Sequence, residues 1–210
     1  MIRRLVDIIV ASLVLIILLP VFVLVGLAIQ LDSPGNPLYR GCRAGKDGRL
    51  FRMLKFRSMV VNADRNGSAV TGKIDPRITR VGRFIRKTKI DEFPQFWNVL
   101  IGDMTLIGPR PEAPSIVELY TPEQRHVLSV KPGLTGPSQI SCTEDESMAV
   151  LSSEAAERYY IQNVLERRLA IDAEYIRNRS LNGDLALIAQ TIGLMRRALL
   201  GNGAQSQRSR

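Results

Sequence analysis

An almost wholly apolar run from Leu5 to Leu31 limits what this chain can fold into more than any other feature of its sequence. A run of more than eighteen apolar residues is a candidate membrane segment. No small-residue cleavage site of the A-x-A type follows it, so we predict that the segment stays with the protein. A charge is costly in hydrocarbon, and we therefore expect Asp7 to lie at the membrane interface beside Arg3 or Arg4.

Pro20 divides this run into halves of about a dozen residues, each roughly 18 Å long as a helix and shorter than the roughly 30 Å hydrocarbon core. Basic residues flank both ends, namely Arg3, Arg4, Arg40, Arg43, Lys46 and Arg49. Lysine and arginine mark the cytoplasmic side, so this pattern fits a helix pair that enters and leaves by one face. The alternative is a single proline-kinked helix that spans the membrane, and the residues alone favour it.

The net charge of +9 and the pI near 10.1 call for an anionic partner: nucleic acid, anionic lipid or a phosphorylated substrate. Nucleic acid is not predicted, because the basic residues are scattered, aromatic residues make up only 6% and no nucleic-acid-binding motif occurs. Cys42 and Cys142 lie far apart without a CxxC motif, so neither a zinc site nor a disulfide framework is indicated. The single His126 excludes any site that needs two histidines.

The stretch from Lys87 to Glu112 concentrates carboxylates, cations, prolines and glycines. Asp91 and Glu92 precede an apolar run, so we predict Asp91 as the N-cap of a helix from Glu92 to Leu100 that stops near Gly102. Cations surround the pair in sequence, namely Arg83, Arg86, Lys87, Lys89 and Arg110. Such a place suits a metal ion or a phosphate, although an acidic pair that only caps the helix is the ordinary alternative.

Arg110 stands between Pro109 and Pro111. Each proline fixes its own φ, so the backbone that presents Arg110 is predicted to be stiff. A stiff loop that aims a five-donor guanidinium suits an anionic oxygen group.

The remaining patterns predict a mostly helical α+β chain. The segment from Asp32 to Gly48 is rich in turn-forming residues. In the segment from Leu50 to Met59, apolar and basic residues alternate, which predicts a short strand or an interfacial segment. Thr121 to Gln124 reads as a capping box, and Lys131 to Ile140 as a glycine-rich loop. Two apolar stripes at helical spacing predict amphipathic helices, over residues 165–176 and 181–199, that either pack in the core or lie on a membrane.

Residues 91–112, DEFPQFWNVLIGDMTLIGPRPE, resemble the signature of the bacterial sugar transferase family, the monotopic phosphoglycosyl transferases. Further family motifs appear in order: Lys55 to Met59, Arg86, Lys131 to Gly136 with Gln139, and then Asp172, Tyr175, Asn178, Ser180, Asp184 and Leu185. The resemblance covers Arg3 to Ala198. One position departs from it, because the family's helix break is typically Ser-Pro and here it is Leu19-Pro20.

The resemblance implies a re-entrant helix-break-helix membrane anchor over residues 1–36, shaped by Pro20. It also implies a small catalytic domain with amphipathic interfacial helices over residues 37–200, and residues 201–210 are predicted to be a disordered tail. The expected location is the bacterial inner membrane, with the catalytic domain on the cytoplasmic face.

The implied activity is transfer of a sugar 1-phosphate from a UDP-sugar to polyprenol (undecaprenyl) phosphate through a covalent intermediate on Asp91, with release of UMP. Mg²⁺ is the expected cofactor, with Asp91 and Glu92 as its ligands. Direct attack by the lipid phosphate, with the carboxylates only binding metal, is one alternative. A non-catalytic basic membrane scaffold is another. Membrane lipids are expected partners, and a homodimer is left open.

Roles for the other site residues also follow from the resemblance. The predicted contacts of the transferred phosphate are Lys55, Arg57, Arg86 and Arg110. The predicted site-shaping residues, besides Pro20, are Pro109, Pro111, Gly133 and Gly136. Nucleotide-sugar contact and a structural role are both open for Gln139, Asp172, Tyr175 and Asp184.

Overall fold

The computed structural model describes residues 2–63, 75–142 and 151–200, except for the side chains of residues 195 and 197–200. It begins with two apolar helices, α1 (Ile2–Ile17) and α2 (Leu19–Asp32), whose axes are bent by 60°. Pro20 lies in the first turn of α2, where a missing N–H breaks no helical hydrogen bond. The helix-break-helix prediction is therefore confirmed in its geometry, whereas the predicted tail lies outside the described residues.

No single helix within the described ranges is both long enough and apolar enough to cross a membrane. Taken together, α1 and α2 meet the length and composition that a crossing requires.

A β-hairpin follows, formed by β1 (Leu38–Ala44), a 3₁₀ turn at Lys46–Gly48 and β2 (Leu50–Phe56). The strands are antiparallel, with Leu38 opposite Phe56 and Ala44 opposite Leu50. The strand predicted from Leu50 is confirmed. β1 was missed because the turn formers around it dominate the pattern, although only Gly41 falls inside the strand.

The acidic pair lies in a 3₁₀ turn, Ile90–Glu92, between α3 (Arg80–Lys87) and α4 (Gln95–Ile101). The predicted end of α4 is confirmed, since Gly102 adopts the left-handed conformation (φ 95°). The predicted N-cap at Asp91 is wrong. Pro94 has no N–H to extend an α-helical ladder back to Ile90, and the chain instead makes a shorter bond from the Phe93 N–H to the Ile90 carbonyl (3.1 Å).

The rest of the described chain contains mostly helices, with two short strands and the loops that connect them. The elements are β3 (Thr105–Ile107), α5 (Pro114–Val117), a 3₁₀ helix (Gln124–Ser129), β4 (Gly133–Thr135), α6 (Pro137–Ser141), α7 (Ser153–Tyr159), a π turn (Tyr160–Val164), α8 (Leu165–Arg177) and α9 (Leu181–Leu200). Both amphipathic helices are thus confirmed, as α8 and α9. The capping box is also confirmed, since Thr121 and Gln124 exchange side-chain to backbone hydrogen bonds of 2.9 and 3.3 Å.

The glycine-rich segment 131–140 is not the loop that was predicted, because β4 pairs in parallel with β3 and α6 follows. Its glycines permit this close approach. A Cβ on Gly133 would lie 2.1 Å from the Gly108 nitrogen, and a Cβ on Gly136 would lie 2.1 Å from the Gly108 carbonyl oxygen. The backbone at Gly133 and Gly136 thus lies too close to the backbone of Gly108 to leave room for a side chain, which gives a physical reason for their predicted site-shaping role.

The N-terminal helices pack onto the rest of the chain. Ala11 of α1 is buried in a core with Val99 of α4, Met104 and Leu106. Asp7 is buried and accepts hydrogen bonds from the Thr105 hydroxyl (2.8 Å) and the Leu106 N–H (3.0 Å). The charge of Asp7 is therefore satisfied inside the protein by β3, and its position relative to a membrane interface stays a prediction.

Asn98 of α4 fixes that helix against the hairpin. Its side chain is fully buried, accepts a hydrogen bond from the Leu54 N–H (2.9 Å) and donates one to the Arg52 carbonyl (2.8 Å). The two bonds satisfy the outer edge of β2. The helix that follows the acidic pair is thereby held beside the strand that contains Lys55.

We expect Asn98→Leu to lower the free energy of unfolding by about 2 to 3 kcal/mol, because it leaves two backbone groups of β2 without partners. Chemical denaturation of the full chain in detergent measures this loss. The control is Asn163→Leu, which makes the same change at an exposed position and should stay within about 0.5 kcal/mol. Equal stability of the two variants would show that Asn98 does not anchor the hairpin.

Candidate active site

The acidic pair combines one buried carboxylate with one paired carboxylate. The Asp91 residue is only 7% exposed, and its Oδ1 has no hydrogen-bond partner among the described residues. Glu92 is half-buried, and its Oε1 lies 3.0 Å from the Lys55 Nζ of β2. An unpartnered buried carboxylate oxygen is costly, so it points to a group that the folded chain alone does not supply.

The local structure around α3 sets the position of the pair. Thr79 caps α3 by accepting a hydrogen bond from the Gly82 N–H (2.9 Å), and Asp32 at the end of α2 accepts one from the Val81 N–H (2.9 Å). Lys89 then adopts a left-handed conformation (φ 58°), which turns the chain sharply after the helix. Ile90 packs into the core beside α3, so the residue that follows it, Asp91, is held at the protein interior.

The two carboxylates have opposite pKa shifts. Burial raises the pKa of Asp91, the charge of Glu92 adds to this rise, and the charges of Lys55, Arg86 and Lys89 oppose it, so that the pKa is about 6. Burial also acts to raise the pKa of Glu92, but the charges of Lys55, Lys89 and Arg110 outweigh it and hold that pKa at about 2. The pair therefore contains one permanent anion and one carboxylate that titrates near neutral pH.

Arg110 is presented as its flanking prolines predict. Pro109 and Pro111 are buried, whereas the Arg110 side chain is 44% exposed, with its Nε 3.5 Å from the Glu112 Oε1. The Tyr160 hydroxyl donates to the same Glu112 oxygen (2.5 Å). Because its charge lowers the pKa of Glu92, Arg110 lies within electrostatic reach of the acidic pair.

Asp172 of α8 contacts the backbone of the Arg110 loop. This residue is buried, and its Oδ2 accepts hydrogen bonds from the Ser138 hydroxyl (2.8 Å) and, weakly, from the Arg110 N–H (3.4 Å). Burial raises the pKa of Asp172 to about 6. These contacts favour the structural one of its two open roles, although its Oδ1, like that of Asp91, has no hydrogen-bond partner among the described residues.

Tyr175 and Asp184 form part of a second network. The Tyr175 hydroxyl donates to the Asp184 Oδ1 (2.6 Å), and the Arg3 Nε donates to the Asp184 Oδ2 (2.7 Å). These contacts join α8, α9 and α1, so the structure again favours the structural role. Gln139 is half-buried on α6, and both roles stay open for it.

Arg57 occupies a place that sets it apart from the other predicted phosphate contacts. It is buried, and its guanidinium donates to the carbonyls of Ser33 and Pro34, where the chain leaves α2. These bonds hold the connection between α2 and the hairpin. Arg57 is therefore left out of the phosphate-binding set proposed below, which consists of Lys55, Arg86 and Arg110.

Sequence reasoning missed Asn98 and Ser138, which hold the site without taking part in it. Asn98 left a signal, because a single amide in the apolar run FWNVLI has to find hydrogen bonds if the helix is buried. The sequence contains no such signal for Ser138, because a small hydroxyl side chain in a glycine-rich segment can equally be exposed to solvent.

The residues that the structure describes contain no group of three or more His, Cys, Asp or Glu side chains placed to share a metal ion. The acidic pair alone supplies one or two carboxylates. This number suits Mg²⁺, which usually takes few protein ligands and completes its shell with water and substrate phosphates. The unpartnered Asp91 oxygen makes that residue the better candidate ligand, since the Glu92 carboxylate is already paired with Lys55.

We expect Asp91→Asn to stabilise the fold increasingly as the pH rises. The raised pKa means that ionised Asp91 costs stability, and this cost is absent below its unfolded value near 3.8 and complete above about 6. Between pH 4 and pH 8 the variant should gain up to about 3 kcal/mol over the wild type. This gain in the free energy of unfolding is measured by denaturation at a series of pH values without metal. Asp47→Asn at an exposed turn is the matched control. If the gain of Asp91→Asn changed with pH as little as that of the control, this would contradict the burial of the Asp91 charge.

The family model for bacterial sugar transferases matches residues 1–198. A UDP-galactose-lipid carrier transferase of Erwinia amylovora is 37% identical over 92% of this chain and 40% of the relative. A UDP-glucose:undecaprenyl-phosphate glucose-1-phosphate transferase of Escherichia coli K12 is 37% identical over 91% of this chain and 39% of the relative. One of the same name from Caulobacter vibrioides is 36% identical over 90% of this chain and 68% of the relative.

The chain thus spans about two fifths of the length of the first two relatives, while the family model matches nearly all of it. The matched region includes the acidic pair, the Arg110 loop and the helix-break-helix. The resemblance in the sequence is therefore confirmed, and the chain belongs to the bacterial sugar transferase family.

Proposed function

We propose that this protein transfers a sugar 1-phosphate from a UDP-sugar to undecaprenyl phosphate through a covalent intermediate on Asp91. The observation that supports it most is the buried Asp91 carboxylate, which has an unpartnered oxygen beside the Glu92–Lys55 ion pair. The printed names of the relatives support the general reaction, since two of them are UDP-glucose:undecaprenyl-phosphate glucose-1-phosphate transferases.

In the first step, a carboxylate oxygen of Asp91 attacks the sugar-bearing phosphorus of the donor. A bond forms between this oxygen and the phosphorus, and the bond from the phosphorus to the bridging diphosphate oxygen breaks, so that UMP leaves. The product is an acyl phosphate that holds the sugar on Asp91. Burial favours this role, because a poorly solvated carboxylate is a stronger nucleophile than one that is fully hydrated.

In the second step, an oxygen of undecaprenyl phosphate attacks the same phosphorus. The bond to Asp91 breaks, the carboxylate is restored, and a polyprenol diphosphate sugar is released. The acceptor phosphate is already anionic near neutral pH, so no histidine base is needed. This agrees with a chain whose one histidine, His126, lies exposed on the 3₁₀ helix 124–129.

Both steps bring anions together, and the surrounding cations offset this repulsion. Lys55, Arg86 and Arg110 come from β2, α3 and the rigid proline loop. We assign them to the transferred phosphate, where fixed positive charge stabilises the charge that develops in the transition state. Mg²⁺ held by Asp91, with or without Glu92, would supply further neutralisation of the diphosphate when bound.

The helix pair is proposed to be a re-entrant anchor that enters and leaves the bacterial inner membrane by its cytoplasmic face. Large apolar side chains along both helices are exposed, for example Leu13 at 54% and Leu24 at 67%. Trp97 and Ile101 of α4 add exposed apolar surface next to α1. A water-soluble donor and a lipid acceptor could then meet at head-group depth. A homodimer stays a prediction.

Incubation with a UDP-sugar labelled with ³²P in its sugar-bearing phosphate, without acceptor lipid, should label the wild-type protein. Labelling should require Mg²⁺, stop on chelation and be reversed by undecaprenyl phosphate. Asp91→Asn should abolish both the label and turnover, because its amide is a poor nucleophile.

Asp47→Asn, the same chemical change at an exposed turn, should leave labelling intact. Normal turnover by an unlabelled wild-type protein would instead favour direct attack by the lipid phosphate. Absence of any Mg²⁺-dependent UMP release would leave only the scaffold function.

At subsaturating Mg²⁺, the single-turnover rate of this labelling should fall as the pH drops through about 6, because only ionised Asp91 attacks. Lys55→Gln should move the midpoint to higher pH, since the Lys55 charge lowers the pKa of Asp91. Rapid-quench measurement of labelled protein tests both. A rate independent of pH between 5 and 8 would contradict Asp91 as the nucleophile.

A further inference from the structure

A basic cleft of about 310 Å³ lies at the N-terminal end of α1, apart from the acidic pair. Five basic side chains and one acidic side chain are among the residues that line it, namely Arg3, Arg4, Lys46, Lys131, Arg179 and Asp7. They come from four distant parts of the chain, so the cleft exists only in the folded protein. Its volume admits a small ligand rather than a single water molecule.

Among the residues that the structure describes, most of the cations in this cleft have no carboxylate as a hydrogen-bond or ion-pair partner. The Arg4 guanidinium donates to the carbonyls of Val99 (2.6 Å) and Leu100 (2.7 Å), which are neutral acceptors at the end of α4. Arg179 likewise donates to the Ile107 carbonyl (3.2 Å). Arg3 is the exception, since it pairs with Asp184 (2.7 Å).

Asp7 forms no ion pair with these cations among the described residues, and its oxygens accept hydrogen bonds from Thr105 and Leu106 instead. The side chains of Lys46 and Lys131 make no hydrogen bond or ion pair with another residue in the described part of the chain. Lysines gathered in a cleft repel each other, so an anion bound between them lowers the free energy of the folded state.

The cleft is distinct from the site of phosphate transfer. Arg4 binds the C-terminal carbonyls of α4, whereas Asp91 precedes the N-terminal end of the same helix. At 1.5 Å per residue, the seven residues of α4 separate these ends by about 10 Å. None of Lys55, Arg86, Asp91, Glu92 and Arg110 lines the cleft.

We propose that this cleft binds a phosphate group, presented either by the head group of an anionic lipid or by a soluble phosphate. Guanidinium and ammonium donors that converge on one space match phosphate oxygens. An apolar side chain stands exposed next to the cleft residues of α1, with Leu5 at 60%. Leu185 of α9, exposed at 63%, follows Asp184, the partner of Arg3. This neighbourhood would accept the acyl chains of a lipid whose head group fills the cleft.

The test uses the full chain in detergent, with its thermal unfolding midpoint followed against three probes at constant ionic strength. The probes are short-chain phosphatidylglycerol, short-chain phosphatidylcholine and inorganic phosphate. A ligand of the folded state raises the midpoint as its concentration rises. A response to phosphatidylglycerol alone identifies a lipid head group as the ligand, whereas a response to inorganic phosphate as well identifies a general phosphate site.

Lys46→Gln/Lys131→Gln removes two side-chain charges that form no hydrogen bond or ion pair in the described part of the chain. It should shift the response to at least tenfold higher probe concentration. Arg49→Gln/Arg125→Gln removes two charges from exposed residues outside the cleft and should respond like the wild type. The proposal is overturned if no probe raises the midpoint, if phosphatidylcholine acts as strongly as phosphatidylglycerol, or if both double variants respond alike.

Discussion

The carboxylate of Asp91 is kept out of water, and one of its oxygens has no hydrogen-bond partner among the residues that the structure describes. Such a group costs folding free energy, and much of the surrounding structure holds it in place despite that cost. β2 brings Lys55 to the neighbouring Glu92, α3 brings Arg86, and the Arg110 loop closes the other side. These elements therefore converge on a carboxylate that the described part of the chain leaves partly without hydrogen bonds.

This arrangement also explains why the site is built from several short elements rather than from one. Asn98 ties α4 to the hairpin, and Asp172 with Ser138 ties the Arg110 loop to α8. Each tie is a hydrogen bond made by a buried residue to a segment that is distant in sequence. Bonds of this kind fix geometry at little net energy, because their partners would be costly to leave unpaired.

The apolar helix pair is not a separate module attached to a soluble domain. Arg4 and Asp7 of α1 bind α4 and β3 directly, and Asp32 of α2 caps α3. The position of the acidic pair relative to the helix pair is therefore set by polar contacts as well as by apolar packing. If the helix pair enters the membrane as proposed, these contacts fix the depth of Asp91.

The sequence by itself determined the helix break at Pro20, both amphipathic helices, the stop at Gly102 and the stiff presentation of Arg110, because each depends on the chemistry of neighbouring residues. It also placed the acidic pair among cations, and a family motif assigned its chemistry. Only the tertiary structure decided that Asp7 is buried against β3, that Arg57 binds the chain leaving α2, and that Asp91 lies in a 3₁₀ turn without capping α4. The physical reason is that burial and hydrogen-bond partners come from residues far away in sequence, whose positions no local pattern records.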